Sequence, residues 1–404
     1  MSLPARGGDG FCATVRAEVR RTIARRPEAA HVAKLLGLAD PHTETLYDGL
    51  EVRIRPGEIF AVTGPSGAGK TVLLEAVLRQ NPTALRLDAA RAGLRAPAAC
   101  ALRGGTRAQR LRQLARCGLA DAAALVTPAG SLSGGQRHRL ALARMLHAAS
   151  RRAEPTLAVA DEFCTPLDTP TARVLCMGIR RWIRRSRVAL LVATPRAELL
   201  DALRPDRVLR KPLGGPASIE TPVWRGRAPG PHRWPVRRGT LLDYDALAAF
   251  HYLAARPAAH KRVYVVRTDP AEVRLGGPAV AAVLVVGPPL RNCRGRNAAL
   301  GERYLCPDRR AALAKLNADI ECISRVIVHP VYRGCGLAVR LVRHALAAAR
   351  TPYVEALAAM GDLHAFFRRA GMERIGRYPG RRGGYTYYLA DSTGRAAASF
   401  PSCA

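Results

Sequence analysis

Two observations predict an α/β layer fold for the first half of the chain, and a third predicts a separate domain behind it. From about residue 50 to residue 208, apolar strand-like runs alternate with helical patterns, as expected for a sheet covered by helices. Within that stretch, residues 64–71 read Gly-Pro-Ser-Gly-Ala-Gly-Lys-Thr, between an apolar run at 59–62 and a helical one at 72–79. Residues 211–239 then hold Pro212, Pro216, Pro222, Pro229, Pro231 and Pro235 together with five glycines, a density that excludes a helix or a central strand. The expected organisation is an Arg-rich extension over 1–29, an α/β domain over 30–210, a linker over 211–239, an α+β domain over 240–390 and a tail over 391–404.

The 404 residues carry a formal net charge of +33, made from 59 arginines and only five lysines. A surface of that sign attracts polyanions, so DNA or RNA is a candidate partner. Arg and Ala enrichment is also what a GC-rich genome produces without any ligand. No apolar run approaches the ~18 residues that cross a bilayer, and the first thirty residues lack the apolar segment of a signal peptide. A cytoplasmic protein without a membrane partner is expected. The ten cysteines contain no C-x-x-C pair, and Cys293, Cys306, Cys322 and Cys335 are irregularly spaced. Cys100, Cys164 and Cys176 lie in apolar runs, so buried thiols are expected rather than a zinc site. A helix is expected over 13–26, and two strands with a turn at Pro56-Gly57 over 50–63.

The 64–71 segment carries the chemistry of the first domain. Gly64, Pro65, Ser66, Gly67, Ala68 and Gly69 let backbone N–H groups curl around phosphates, and the helix that follows adds positive potential. Lys70 is placed to reach the β- and γ-phosphates of ATP and Thr71 to hold Mg²⁺. Farther on, Leu132 is followed by Ser133, Gly134, Gly135 and Gln136, opening a helix over 139–149. Residues 157–162 then give an apolar strand ending in Asp161 and Glu162. Asp161 suits the Mg²⁺ shell, and Glu162 suits a general base for the attacking water. Thr165-Pro166-Leu167-Asp168 follows directly.

These motifs in this order resemble the ABC-type ATPase family over roughly residues 30–210. The resemblance implies a head-to-tail homodimer, each ATP lying between the 64–71 loop of one protomer and Ser133, Gly134, Gly135 and Gln136 of its partner. Three departures stand out. Proline, Pro195, stands where the family has its switch histidine. No glutamine lies between Arg86 and Gly105, and Gln109 and Gln113 fall in a helical pattern. No aromatic residue occupies 39–42, leaving His42 or Tyr47 to stack on adenine. The short spacing between the two glycine motifs would remove much of the surface that couples this family to membrane partners.

In the second half, helices are expected over 241–253, 309–319, 337–350 and 363–370, and strands over 261–267, 279–286, 323–329, 353–357 and 385–389. Val328 ends a strand, and Arg333, Gly334, Cys335, Gly336, Leu337 and Ala338 form a loop opening a helix. Glycines at a helix N-terminus again offer N–H groups to a phosphate. This R-x-x-G-x-A pattern, with Glu355 on a following strand and Phe366, Phe367, Gly371 and Met372 beyond it, resembles the GNAT acyltransferase superfamily over about residues 240–390. The resemblance implies acetyl-CoA as a cofactor and N-acyltransferase activity. The fusion as a whole resembles ABC-type ATPase–acetyltransferase proteins whose second domain is related to Mom-type DNA-modification enzymes. The superfamily's usual tyrosine acid is replaced by phenylalanine. Glu355, Tyr332 and Tyr252 are the candidate bases, while His251 and Ser324 read as structural. Three functions stay open: an ATP-dependent acyltransferase, an ATPase with a degenerate acyltransferase domain that binds nucleic acid, and a transporter's ATP-binding subunit.

Overall fold

The computed structural model describes residues 10–22, 24, 26–37, 42–88, 95–225, 230–251, 256–304, 308–361, 364–380 and 384–392. The chain divides into two compact units, Met1–Asp168 with Leu175–Ala228, and Thr169–Val174 with Pro229–Ala404. The division at 228 and 229 falls inside the Pro/Gly-rich stretch.

The first unit opens with β1 (Phe11–Arg21), α1 (Pro27–Leu35) and β2 (His42–Ile54). Residues 13–21 of the helix expected over 13–26 are therefore strand. Their side chains alternate, with Ala13 and Val15 buried and Thr14, Arg16, Glu18 and Arg20 exposed, a period of two that outweighs the helix propensity of Ala, Arg and Glu. The strand pairs antiparallel with β2 from Phe11↔Ile54 to Arg21↔His42, so residues 11–21 of the expected extension are an integral part of this unit. There follow β3 (Ile59–Thr63), α2 (Lys70–Gln80), β4 (Leu85–Arg86), α3 (Arg107–Arg116), α4 (Ala122–Val126), α5 (Gly134–Ser150), β5 (Thr156–Ala160), α6 (Thr169–Ile183), β6 (Val188–Thr194), α7 (Leu200–Leu203), β7 (Arg207–Arg210) and β8 (Ser218–Glu220).

The main sheet has the order β4-β5-β6-β3-β7-β8. All its pairings are parallel except β7 with β8. Every residue of β3, β5 and β6 is buried, as expected of parallel strands covered on both faces. One face packs Phe60, Val62, Leu157, Val159 and Leu191 against Leu73, Leu74 and Val77 of α2 and against Val15, Leu46, Val52 and Ile54 of the small sheet.

The second unit runs β9 (Val236–Arg238), α8 (Leu241–Ala248), β10 (Arg262–Arg267), α9 (Pro270–Arg274), β11 (Val280–Gly287), α10 (Arg294–Leu300), α11 (Arg309–Asp319), β12 (Ile320–Val328), α12 (Leu337–Ala347), β13 (Tyr353–Ala358), α13 (Phe366–Ala370), β14 (Glu373–Tyr378) and β15 (Tyr385–Asp391). The supposed linker thus supplies β8 to one sheet and β9 to the other, both as edge strands, where a proline-rich flank is tolerated. The seven-stranded sheet has the order β14-β15-β13-β12-β11-β10-β9. It is antiparallel apart from β12 and β13, which pair in parallel only over Ile320↔Tyr353, Glu321↔Val354 and Cys322↔Glu355. Beyond those pairs β12 continues beside β11 and β13 beside β15, so the sheet parts between β12 and β13. Tyr244 and Leu247 of α8 cover Val263, Val283, Val285 and Ile327 on one face.

Inside this unit lies a sealed ionic cluster. Arg296 donates from Nε to Glu355 Oε2 at 2.9 Å and from Nη2 to Oε1 at 2.7 Å, and the Tyr387 hydroxyl donates to Oε2 at 2.8 Å. All three side chains are buried. Replacing Glu355 by alanine strands the Arg296 charge in the core, so Glu355→Ala should cost about 3–5 kcal/mol of folding stability. Chemical denaturation of the full chain checks this, and an unchanged midpoint for the second unit's transition would refute it.

Candidate functional site

The strand register brings the sequence-predicted residues of the first unit to one edge of its sheet. β3 and β6 run level, with Val62↔Ala193 and Thr63↔Thr194, and β5 meets β6 at Ala160↔Val192. The loops carrying Gly64, Asp161 and Pro195 therefore leave neighbouring strand ends together. Gly64 has φ +155, and a Cβ built there would stand 2.1 Å from the carbonyl oxygen of Lys211. Only glycine lets the loop pass that backbone. Lys70 Nζ donates to Gly64 O at 2.9 Å and Pro65 O at 2.6 Å, arching over the loop. Burial lowers its pKa, and the Asp161 carboxylate opposes that shift.

Thr71 Oγ1 donates to Asp161 Oδ2 at 2.7 Å, and the Glu162 amide donates to Asp161 Oδ1 at 2.8 Å. The two residues expected to hold Mg²⁺ are thus in contact, with Glu162 beside them. Glu162 is exposed and has φ +47, a left-handed conformation that costs a non-glycine residue energy and recurs at functional sites. Such a carboxylate can accept a proton from water, and the Thr71–Asp161 pair offers oxygen ligands suited to a hard cation.

Ser133 caps α5. Its Oγ accepts from Gln136 N at 3.3 Å, and Gln136 Oε1 accepts from Ser133 N at 3.0 Å, a reciprocal capping box. A Cβ on Gly134 would meet nothing within 4 Å, whereas one on Gly135 would stand 3.1 Å from Pro166 O and Leu167 Cδ2. Among the described residues no hydrogen bond joins 133–136 to 64–71.

One residue takes a role other than the expected one, and two others escaped the sequence reading. Tyr47 is buried, its hydroxyl donates to Gly69 O at 3.1 Å, and burial pushes its pKa up to about 12. It therefore props the phosphate loop instead of offering a ring to adenine. Beside it is a hollow of about 410 Å³ lined by Arg16, Ala17, Glu18, Thr45, Tyr47 and Asp48. Next to Pro195, Arg196 donates from Nη1 to Cys164 O at 3.2 Å and Leu167 O at 2.7 Å. It clamps the turn that follows Glu162. Finally, His138 of α5 accepts at Nε2 from the Cys164 amide at 3.2 Å, which places the imidazole proton on Nδ1. The contacts of Arg196 and His138 appear only once the chain is folded, so no motif announces them. Gln109 is engaged with Thr106 in the cap of α3. Tyr252 and the side chain of His42 lie outside the described residues.

In the second unit, Gly334 and Gly336 have φ +81 and +85, and Gly336 caps α12. A Cβ on Gly336 would find nothing within 4 Å, so the position is closed to side chains by backbone conformation and not by packing. Arg333, expected to reach a ligand, donates instead from Nε to Val328 O at 3.1 Å and from Nη2 to Phe250 O at 3.4 Å. It braces the loop. Cys335 and Leu337 are buried, and Ala338 is half-buried. Two of the three candidate bases, Glu355 and Tyr332, are taken out of reach by burial and pairing, and the third, Tyr252, lies outside the described residues. Glu355 is locked to Arg296 and Tyr387, and Tyr332 is buried with its ring edge-on to Trp234 at 5.0 Å. Ser324 Oγ donates to Val285 O at 3.1 Å, a structural role as expected. Cys164, Cys176, Cys293, Cys322 and Cys335 are buried, but Cys100 is exposed.

Burial, aided by the neighbouring Arg139 charge, pushes the His138 imidazole down to about 4. The unfolded chain then binds the extra proton between pH 6.5 and 4, so the contribution of His138 is full above pH 6.5 and lost as pH falls toward 4. At 1.36 kcal/mol per pKa unit this is on the order of 3 kcal/mol. His138→Gln should flatten the pH dependence of unfolding over that range, read by denaturant titration at several pH values. An unchanged slope would exclude the linkage.

Comparison with known proteins places the first half of the chain among ATP-binding domains. Residues 40–197 match the AAA ATPase domain family. The lipoprotein-releasing system ATP-binding protein of Anaeromyxobacter dehalogenans is 29% identical over 249 residues, 51% of this chain and 97% of that protein. The aliphatic sulfonates import ATP-binding protein of Delftia acidovorans is 34% identical over 195 residues, 42% of this chain and 75% of that protein. A dimeric bacterial ABC transporter cassette superposes with a TM-score of 0.38 at 16% identity, over 54% of this chain and 100% of that one. No helix among the described residues is long and apolar enough to cross a membrane. With a P-loop, an acidic strand end and relatives matched over most of their length, the chain belongs to the ABC-type family of ATP-binding ATPases.

Proposed function

We propose that this ABC-type ATPase works as a head-to-tail homodimer and that its second unit binds acetyl-CoA and transfers the acyl group to an amine, on or near a nucleic acid. In the first unit, the 64–71 loop holds the phosphates, Thr71 and Asp161 hold Mg²⁺, and Glu162 takes the proton of the attacking water. Bound Mg²⁺ supplies neutralisation of phosphate charge. The hollow lined by Arg16, Glu18, Thr45 and Asp48 takes the adenosine, with no stacking from the Tyr47 ring. The open space at Gly134, and the lack of any bond from 133–136 to the chain's own phosphate loop, support closure by a partner's Ser133–Gln136 cap. Arg196 fixes the turn after Glu162, and Pro195 offers no imidazole, so turnover is slow.

The observation that carries the acyl-CoA half is the Arg333–Ala338 loop. It joins the end of β12 to α12 beside the place where β12 and β13 part. A left-handed Gly336 capping an 11-residue helix leaves first-turn N–H groups open to a pyrophosphate, and the parted strands offer an opening for an extended thioester arm. A second reading, binding without transfer, is favoured by the sealing of Glu355 and by Phe366 and Phe367 at the acid position. The names of the relatives supply a third, a transporter's ATP-binding subunit. Against it, their matches leave about half of this chain uncovered.

Calorimetry with acetyl-CoA tests the central claim. Wild type should bind, and Gly336→Val should lose binding while keeping ATP affinity. No heat from wild type at millimolar ligand, or an unchanged mutant, removes the acyl-CoA half of the proposal. For the first unit, Glu162→Gln should trap an Mg-ATP dimer near twice the 43.5 kDa monomer mass in light scattering. A monomer throughout would end the head-to-tail arrangement.

A further inference from the structure

Far along the chain from the phosphate loop, the first unit carries a second concavity, of about 240 Å³, lined by Ala149, Ser150, Arg152, Trp182, Arg185, Ser186, Arg187 and Val188. It forms where α5 and α6 both end. Trp182 is half-buried, while Arg151, Arg152, Arg184, Arg185 and Arg187 are exposed. Among the described residues none of these five arginines has a carboxylate partner, whereas Arg180 nearby is paired with Asp206. Glu154 is the one acidic residue in 149–155 and 180–188. Two helix C-termini carry partial negative charge that a cation or two would answer. Five arginines around a tryptophan go beyond that need.

The parts are held in place. Arg152 Nη1 donates to Thr83 O. Arg185 N bonds Trp182 O at 3.0 Å and Ser186 N bonds Ile183 O at 2.9 Å. Ser186 Oγ donates to Ile183 O at 3.0 Å and accepts from Val188 N at 3.3 Å. A hydrogen-bonded turn therefore holds the half-buried Trp182 beside guanidinium groups at the hollow. Guanidinium forks match phosphate oxygens, and an indole stacks on a base of any identity. The hollow is smaller than the ~300–1,000 Å³ of sites that enclose a whole small ligand. It fits one unit of a longer polymer whose remaining phosphates lie across the exposed arginines. Duplex DNA would keep its bases inside the stack, away from Trp182. No exposed aliphatic residue lines the hollow, as insertion into lipid would require.

We propose that Arg152, Trp182, Arg185 and Arg187 form a binding site for single-stranded nucleic acid, with one base stacked on Trp182 and flanking phosphates on the arginines. The site stands whether or not the second unit transfers an acyl group. Fluorescence anisotropy of the full chain with labelled oligothymidylate and oligouridylate tests it, with retained ATP binding as the check on folding. The combined variant Arg152→Gln, Arg185→Gln and Arg187→Gln should weaken binding at least about tenfold. It should also flatten the dependence of log affinity on log salt by about 2, given ~0.7 per phosphate contact on single strands. Arg107→Gln with Arg309→Gln and Arg310→Gln removes equal charge elsewhere and should have a much smaller effect. Oligonucleotide should quench tryptophan emission in wild type and not in Trp182→Phe. Equal weakening by the two triple variants would mean that charge alone binds, and the site would be withdrawn. Quenching that survives Trp182→Phe, or binding to anionic lipid vesicles without binding to either oligonucleotide, would equally overturn it.

Discussion

The parallel register of β5, β6 and β3 is the constraint on which the first unit depends. Because Thr63 lies opposite Thr194 and Ala160 opposite Val192, three loops far apart in sequence leave the sheet at one level. Loops at the carboxyl ends of parallel strands are where α/β sheets place ligands. The Thr71–Asp161 hydrogen bond, the exposed Glu162 and the Arg196 clamp all follow from that alignment. The burial of every residue in these strands makes a slip of one position costly, since it would turn each side chain toward the other face.

Much of this was legible from residue order alone. The glycine loop, the capped helix at Ser133 and the acidic strand end at Asp161 are local patterns, and local physics decides them. What could not be read was non-local. Residues 13–21 carry helix-forming Ala, Arg and Glu, yet the hydrophobic surface of β2 and α2 selects the alternating face of Ala13 and Val15. The roles of Tyr47, His138 and Arg196 depend on backbone atoms 22, 26 and 29–32 positions away. No window of sequence pairs them. The proline-rich stretch holds the division between the units, but its edge strands β8 and β9 were not legible, because edge strands tolerate neighbours that a central strand does not.

The second unit shows how a carboxylate can look catalytic in sequence and be structural in space. Glu355 sits on a central strand, where a base would be convenient, but Arg296 and Tyr387 occupy both of its oxygens. A carboxylate so engaged anchors a core and is not free to take a substrate proton. The glycines of the 333–338 loop behave in the opposite way. Gly336 faces open space, so nothing in the packing demands glycine there, and the demand comes from the left-handed turn into α12.

The contact between Gly64 and the carbonyl of Lys211 also bears on how the protein matures. The phosphate loop is shaped by backbone at the far end of β7, and Lys211 N in turn donates to Thr63 O at 2.9 Å. During synthesis the loop is complete long before that strand leaves the ribosome. A nascent chain halted before residue 207 would hold every residue of the glycine motif and still lack the wall that gives it form. The glycine motif and its wall meet only where β7 closes against β3.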